Sequence, residues 1–325
     1  MSWKRVTSVV AVGLMLAGIA LANAPLVYSE CFIWLTRLDL PVTPSADDAQ
    51  GPLPGPPAGV VMGGRWRVQQ IGPGTWAIGE PAEAPDNYEY LLVGQRRALL
   101  IDAGATAQDI HPVLAQLTRL PVTVIPTHLH FDHSNGLRHF TNVAMIDLPE
   151  LRARMRDGLF HPGRHQVLGS PDGTPPSVFP VAEWIAPDGW LDLGERRVQV
   201  LSTPGHTATS LSVHDPASKL LFSGDLMYTT SLYAFMVDSS LTAYATTTQR
   251  LLATLPAETT IFGAHCCRSD GPPGPPWLHM DDVRDLNRAV GAILAGTGDG
   301  RGILLRRFPV NRQMTLLTFY PHGNR

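Results

Sequence analysis

The stretch Thr127-His128-Leu129-His130-Phe131-Asp132-His133 sets three imidazoles and a carboxylate side by side in the chain. In extended backbone, residues two apart point to the same side, so this spacing brings His128, His130 and Asp132 toward one point. His133 points the other way and faces a second point as the chain turns into a helix. Imidazole nitrogen and carboxylate oxygen suit zinc, and iron or manganese fit the same donors. Three later fragments add donors of the same kind. Ser202-Thr203-Pro204-Gly205-His206-Thr207 brings His206, Ser223-Gly224-Asp225 brings a carboxylate, and Gly263-Ala264-His265 brings another imidazole. Each follows an expected strand, and loops beyond the ends of buried strands carry sites in layered folds.

Those loops need strands to hold them. Tyr88 to Val93 and Ala98 to Asp102 read as a hairpin around Gly94–Arg97, and the apolar run Val122–Ile125 reads as a buried strand. Helices are expected over Ala107–Leu117, Leu148–Leu159, Leu241–Leu255 and Met280–Leu294. Further hairpins are expected for Trp190–Leu193 with Val198–Leu201, for Ser210–His214 with Leu220–Ser223, and for Ile303–Phe308 with Met314–Phe319. Thr259–Phe262 is a further strand. Strand pairs punctuated by single helices imply sheets covered by helices, and periodicity leaves the topology open.

Composition sets the class. Of 325 residues, 44% are hydrophobic and 16% are charged, which gives material for a large core and excludes wholesale disorder. A net charge of −3 supplies no basic excess for phosphate neutralisation, so a nucleic-acid partner is not expected and a small-molecule substrate is. Lys4 and Arg5 precede the apolar run Val6–Ala22, which reads as an export signal with small residues at its end. The run continues almost unbroken to Tyr28, so an uncleaved anchor is the other reading, with membrane association through residues 6–28. Both place the remainder outside the cytoplasm, in the periplasm or facing the exterior. Residues 1–28 are thus signal or anchor. Residues 29–63, with PVTPSADDAQGPLPGPPAG, are a linker that buries too little to offset chain entropy, and residues 64–325 form the globular domain. Cys31, Cys266 and Cys267 cannot make a disulfide framework, and no CxxC pair suggests a zinc finger.

The set HLHFDH, TPGHT, SGDLMY and GAH, in this order, resembles the metallo-β-lactamase fold superfamily over about residues 64–320. The resemblance implies a four-layer αββα sandwich with two zinc ions at one edge of the sheets. It assigns His128, His130 and His206 to the first metal, Asp132, His133 and His265 to the second, and Asp225 to a bridge between them. Asp102, in LLIDAG, falls at a supporting position. The implied chemistry is hydrolysis by a bridging hydroxide, with Asp132 orienting it and receiving its proton. The intact SGD is similar to the glyoxalase II, lactonase and phosphodiesterase branches rather than to true β-lactamases, so an ester, lactone or thioester is the expected bond. An iron-dependent persulfide-dioxygenase-like oxidoreductase and a β-lactam hydrolase are the alternatives. Tyr228, three residues after Asp225, matches a lactonase tyrosine and is the candidate donor to the developing alkoxide. Cys266 beside His265 reads as a buried inert thiol. The Pro/Gly-rich segment 159–187 reads as a lid over the site or a plain surface loop.

Overall fold

The computed structural model describes residues 59–80, 87–170, 173–266, 274–302 and 305–319. The expected signal or anchor and most of the expected linker lie outside them. Strands β1 (Val60–Met62), β2 (Trp66–Gly72), β3 (Thr75–Glu80), β4 (Asn87–Val93), β5 (Ala98–Ile101), β6 (Val122–Ile125), β7 (Val143–Ile146), β8 (Met155–Arg156), β9 (Leu159–Phe160) and β10 (Phe179–Ile185) build the first sheet. Its order is β1-β2-β3-β4-β5-β6-β7-β10-β9-β8. The pairs β5–β6, β6–β7 and β7–β10 are parallel, and β1 through β5 pair antiparallel. The second sheet takes β11 (Gly189–Asp192), β12 (Arg197–Ser202), β13 (Leu211–Asp215) and β14 (Leu220–Gly224). After β15 (Thr230–Tyr233), which belongs elsewhere, β16 (Thr260–Gly263) and β17 (Trp277–His279) complete it in the order β11-β12-β13-β14-β16-β17. A small third sheet joins β15 to β18 (Leu305–Pro309) and β19 (Met314–Phe319).

Period-two alternation assigns each strand face to a layer. Leu220 and Phe222 of β14 face the first sheet, whereas Leu221 between them faces outward. In β16, Phe262 faces in and Ile261 faces out. Between the sheets, Tyr90 packs on Phe222 and Phe262 at ring separations of 4.9 and 5.7 Å. Helix Leu241–Thr254 brings Leu251, and helix Met280–Leu294 brings Val283 and Leu286, onto the outer face of the second sheet. Helix His111–Leu117 covers the first sheet with Val113 and Leu114. The layers are helix, sheet, sheet, helix, as the resemblance implied.

Several expected elements differ. The folded region starts before Gly64, because Val60–Met62 pairs with Trp66–Val68 and so falls inside the stretch read as linker. The helix expected from Ala107 begins at His111, with Pro112 in its first turn, and Asp109 accepts from the His111 amide at 2.9 Å. Only Pro149–Arg152 is helical in the expected helix Leu148–Leu159. Asp157 and Gly158, at φ 48° and 77°, instead form the tight turn that pairs β8 with β9. The segment 159–187 is largely structural. It carries β9 and β10, its Phe160 and Phe179 stack in the core at 5.2 Å, and Trp184 lies under Arg152.

Candidate metal centre

All the candidate side chains leave the C-terminal ends of strands on one edge of the two sheets. β6 leads to Thr127–His133, β12 to His206, β14 to Asp225 and β16 to His265. Tyr90 Oη donates to the Gly263 carbonyl at 2.5 Å and the Tyr88 amide to the Ala264 carbonyl at 2.8 Å, which fixes this edge of one sheet against the other. Gly224, at φ 52°, lies where a Cβ would come 2.6 Å from Thr127 Oγ1. Glycine therefore lets the Asp225 loop meet the His128 loop.

The donors fall into three overlapping groups among the described residues: His128, His130 and His206 form a first, Asp132, His133 and His265 a second, and His128, His133 and Asp225 a third that lies between them. His128 Nε2 and His206 Nε2 lie 2.9 and 3.0 Å from His130 Nδ1. Asp225 stands between the first two groups with one oxygen toward each: Oδ2 is 3.4 Å from His206 Nε2, and Oδ1 is 3.4 Å from His133 Nε2 and 3.2 Å from His265 Nε2. Asp132 Oδ2 is 3.4 Å from His265 Nε2. The simple extended-strand reading put Asp132 with His128 and His130. Backbone turns helical at Phe131–Ser134, which carries Asp132 over to His133 and His265 instead.

Outer partners orient the rings. Asp102 Oδ1 accepts from the Thr127 amide at 2.6 Å, and its Oδ2 accepts from Thr127 Oγ1 and from His133 Nδ1, each at 2.9 Å. Its backbone at φ 63° is unusual for a residue with a side chain, and the amide bond to the Ile125 carbonyl at 3.0 Å holds it there. Thr127 Oγ1 lies 3.2 Å from His128 Nδ1, and His206 Nδ1 donates to the Tyr233 carbonyl at 2.9 Å. These bonds leave lone pairs of His128 Nε2 and His206 Nε2 facing His130 Nδ1. A cation held by the three nitrogens would resolve that convergence. Such nitrogens stand about 3.3 Å apart when each is about 2.05 Å from one tetrahedral ion, close to the separations here.

The second group fits a cation by another route. His133 Nε2 and Asp225 Oδ1 are buried and have no hydrogen-bond partner among the described residues. Burial disfavours a charged His133, yet the carboxylates of Asp102, Asp225 and Asp132 outweigh it and hold its pKa well above the ordinary imidazole value. His265 is raised too, against burial, chiefly by Asp225. Asp225 is itself held well below the usual carboxylate range, because His265 and His133 overcome the cost of its burial. Burial, with the neighbouring rings adding to it, lowers His128 and His130 well below the ordinary value. Neutral imidazoles in the first group are the form that ligates a metal, whereas in the second group a cation would take the place of the proton that the carboxylates favour on His133 and His265.

Tyr228 is buried, its ring edge-on to His265 at 5.1 Å, and its hydroxyl donates to the Ser231 carbonyl at 2.8 Å. Cys266 is disulfide-bonded, so the expectation of a free thiol is corrected. Sequence reasoning passed over Asn87, whose Nδ2 donates to the Asp132 carbonyl at 2.5 Å and whose backbone bridges to His265. It also passed over Ser239, which donates to the His206 carbonyl at 2.6 Å. Neither belongs to a motif, since each acts on a backbone group. Glu89 is a third omission. It is fully buried with neither oxygen hydrogen-bonded among the described residues, and burial, with Glu80 adding to it, pushes its carboxyl well above the usual range.

Comparison with known proteins agrees with this geometry. The family model described as "Metallo-beta-lactamase superfamily" matches residues 88–265. Acyl-coenzyme A thioesterase MBLAC2 of Gallus gallus is 29% identical over 54% of this chain and 73% of its own length. The Homo sapiens protein of that name is 30% identical over 50% of this chain and 66% of its own. Hydroxyacylglutathione hydrolase of Mesorhizobium japonicum is 29% identical over 55% of this chain and 62% of its own. The chain thus spans about two thirds of the length of these relatives. Among solved structures, a metallo-beta-lactamase from Pontibacter korlensis aligns with a TM-score of 0.51 at 19% identity, covering 70% of this chain and 99% of that one. One from Erythrobacter litoralis aligns with a TM-score of 0.52 at 18% identity, covering 71% and 98%. At that identity the likeness concerns the fold.

Proposed function

The chain belongs to the metallo-beta-lactamase superfamily, and from that premise we propose that it is a zinc-dependent hydrolase of acyl thioesters with two metals per chain. The observation that carries the proposal is the placement of Asp225, one carboxylate oxygen toward each group of donors. His128, His130 and His206 would hold one ion, Asp132, His133 and His265 the other, and Asp225 both. Bound there, the ions acidify water and polarise the carbonyl under attack.

The chain's own residues do the rest. Asp102 keeps His133 Nε2 aimed inward, and the Tyr233 carbonyl does the same for His206. Asp132 has a side chain 25% exposed, whereas His133 and Asp225 are buried, so solvent reaches the site at its carboxylate. There it orients the attacking water and accepts its proton at a carboxylate oxygen. Tyr228, with its hydroxyl on Ser231, supports His265 through its ring. An acyl group has a surface to lie on. Tyr233, Phe235 and Phe319 form a row of rings 5.5 and 5.7 Å apart, Val237 beside them is 60% exposed, and Asp238 lines the small cavity at His130. A thioester is favoured over a lactone because one group of relatives is named acyl-coenzyme A thioesterase and another hydroxyacylglutathione hydrolase, whose substrate name joins an acyl group to a thiol peptide.

The test is a hydrolysis screen of acyl thioesters, lactones, β-lactams and phosphodiesters on the zinc-loaded enzyme. Thioester turnover that a chelator abolishes is expected. Turnover of only a lactone, β-lactam or phosphodiester would reassign the substrate, and one iron per chain with no hydrolysis would replace hydrolysis by oxidation.

A further inference from the structure

A cationic stretch runs up to Gln166, which lines the cavity at His130, and plays no part in the metal centre. Residues 152–166 carry Arg152, Arg154, Arg156 and Arg164 together with His161 and His165, against Asp157 at the hairpin tip. Arg152 is engaged, since it donates to both Asp147 oxygens and lies over Trp184. Arg154, Arg156 and Arg164 make no ion pair with any described residue.

The fold gathers them. The turn at Asp157-Gly158 doubles the chain back, and the His161 amide donates to the Arg154 carbonyl at 3.1 Å. The one-turn helix Arg164–Val167 follows at once. Arg154 Nη2 and His165 Cε1 lie 2.9 and 2.8 Å from where a Cβ on Gly163 would stand, so both side chains crowd over one glycine. Next in sequence, Gln166 lines the small cavity that His130 and Asp238 also line. Arg164 and His165, just before Gln166 in the chain, therefore adjoin the site, and Asp238, which follows Phe235-Met236-Val237 in the chain, lines the same cavity.

We propose that Arg154, Arg156 and Arg164 bind a phosphate or pyrophosphate group on the leaving-group end of the substrate, with the acyl end on the apolar row. The assignment rests on the thioester reading and narrows it. Guanidinium forks match phosphate oxygens in pairs, and arginines that are exposed, as Arg156 and Arg164 are, or half-buried, as Arg154 is, lose little by doing so when no acidic side chain pairs with them. The same phosphate chemistry is offered by a soluble thioester carrier and by a lipid headgroup.

The experiment compares butyryl-coenzyme A with butyryl-pantetheine, which lacks the phosphates, on the zinc-loaded full chain. The wild type is expected to show a KM about tenfold lower for the phosphate-bearing substrate, the scale of one or two charge-assisted hydrogen bonds. Arg164→Glu and, separately, Arg154→Gln bring the two KM values together, while Arg284→Glu, on a distant helix, keeps them apart. Two arms do not depend on turnover. Titration of metal-free protein with inorganic phosphate should saturate in the wild type and fail in Arg164→Glu. Sedimentation with phosphatidylglycerol vesicles that also depends on Arg164 assigns the phosphate to a lipid headgroup. Arginine-dependent phosphate binding without thioester turnover keeps the cluster and removes the thioester reading. Equal KM values in the wild type, with no arginine-dependent binding of phosphate or vesicles, overturn the proposal.

Discussion

Asp102 shows how a residue that touches no metal can govern one. It binds the Thr127 amide and hydroxyl and His133 Nδ1 at once, so the strand end, the histidine loop and one ligand ring share a single carboxylate. Asp102→Asn replaces one acceptor oxygen by a donor that faces other donors. Metal affinity of the second group should fall about tenfold to a hundredfold, the usual effect of losing such a partner, while the fold survives. Competition against a chromogenic chelator measures it, and unchanged affinity would make Asp102 a purely structural residue. The convergence of these donors was legible in the sequence because HLHFDH, TPGHT, SGD and GAH place candidate ligands at strand ends. Asn87 and Ser239 were not, because each is recognised only through a backbone carbonyl far away in the chain.

At the scale of elements, the strands that could be read were short apolar runs with turn residues on both sides, such as Val122–Ile125. The first three strands were missed, since Trp66–Gly72 and Thr75–Glu80 mix glutamine, arginine and glycine with their apolar residues. The edge away from the metal centre carries a tie of its own. Arg196, in the turn before β12, donates to Asp215 at 2.6 and 3.0 Å, to Thr75 Oγ1 at 2.7 Å, and to the Gly74 and Val93 carbonyls. It thus joins the second sheet to the first. Arg196→Leu leaves the fully buried Asp215 without its partner and should cost about 3–5 kcal/mol of stability. Urea unfolding of both proteins at equal metal loading tests this, and a loss below 1 kcal/mol would mean that Asp215 finds water instead.

For the molecule as a whole, alternation along β14 and β16 fixed which residues face which layer, but periodicity did not choose the strand order. That order depends on pairings such as β7 with β10, which are separated by a hairpin and two one-turn helices. Export belongs to this scale too. The run Val6–Ala22 behind Lys4 and Arg5 motivates it. A reporter joined after residue 60 should be active outside the cytoplasm, and activity confined to the cytoplasm would remove export from the account.

The central claim is a pair of metals sharing Asp225, and metal analysis of wild type and Asp225→Ala tests it most directly. Without the shared carboxylate, two cations would face each other with less charge to separate them. The account predicts two metal ions per chain in the active wild type, and one or none in Asp225→Ala together with loss of hydrolysis. A single ion per chain at full activity, or two ions and normal turnover in Asp225→Ala, would contradict it.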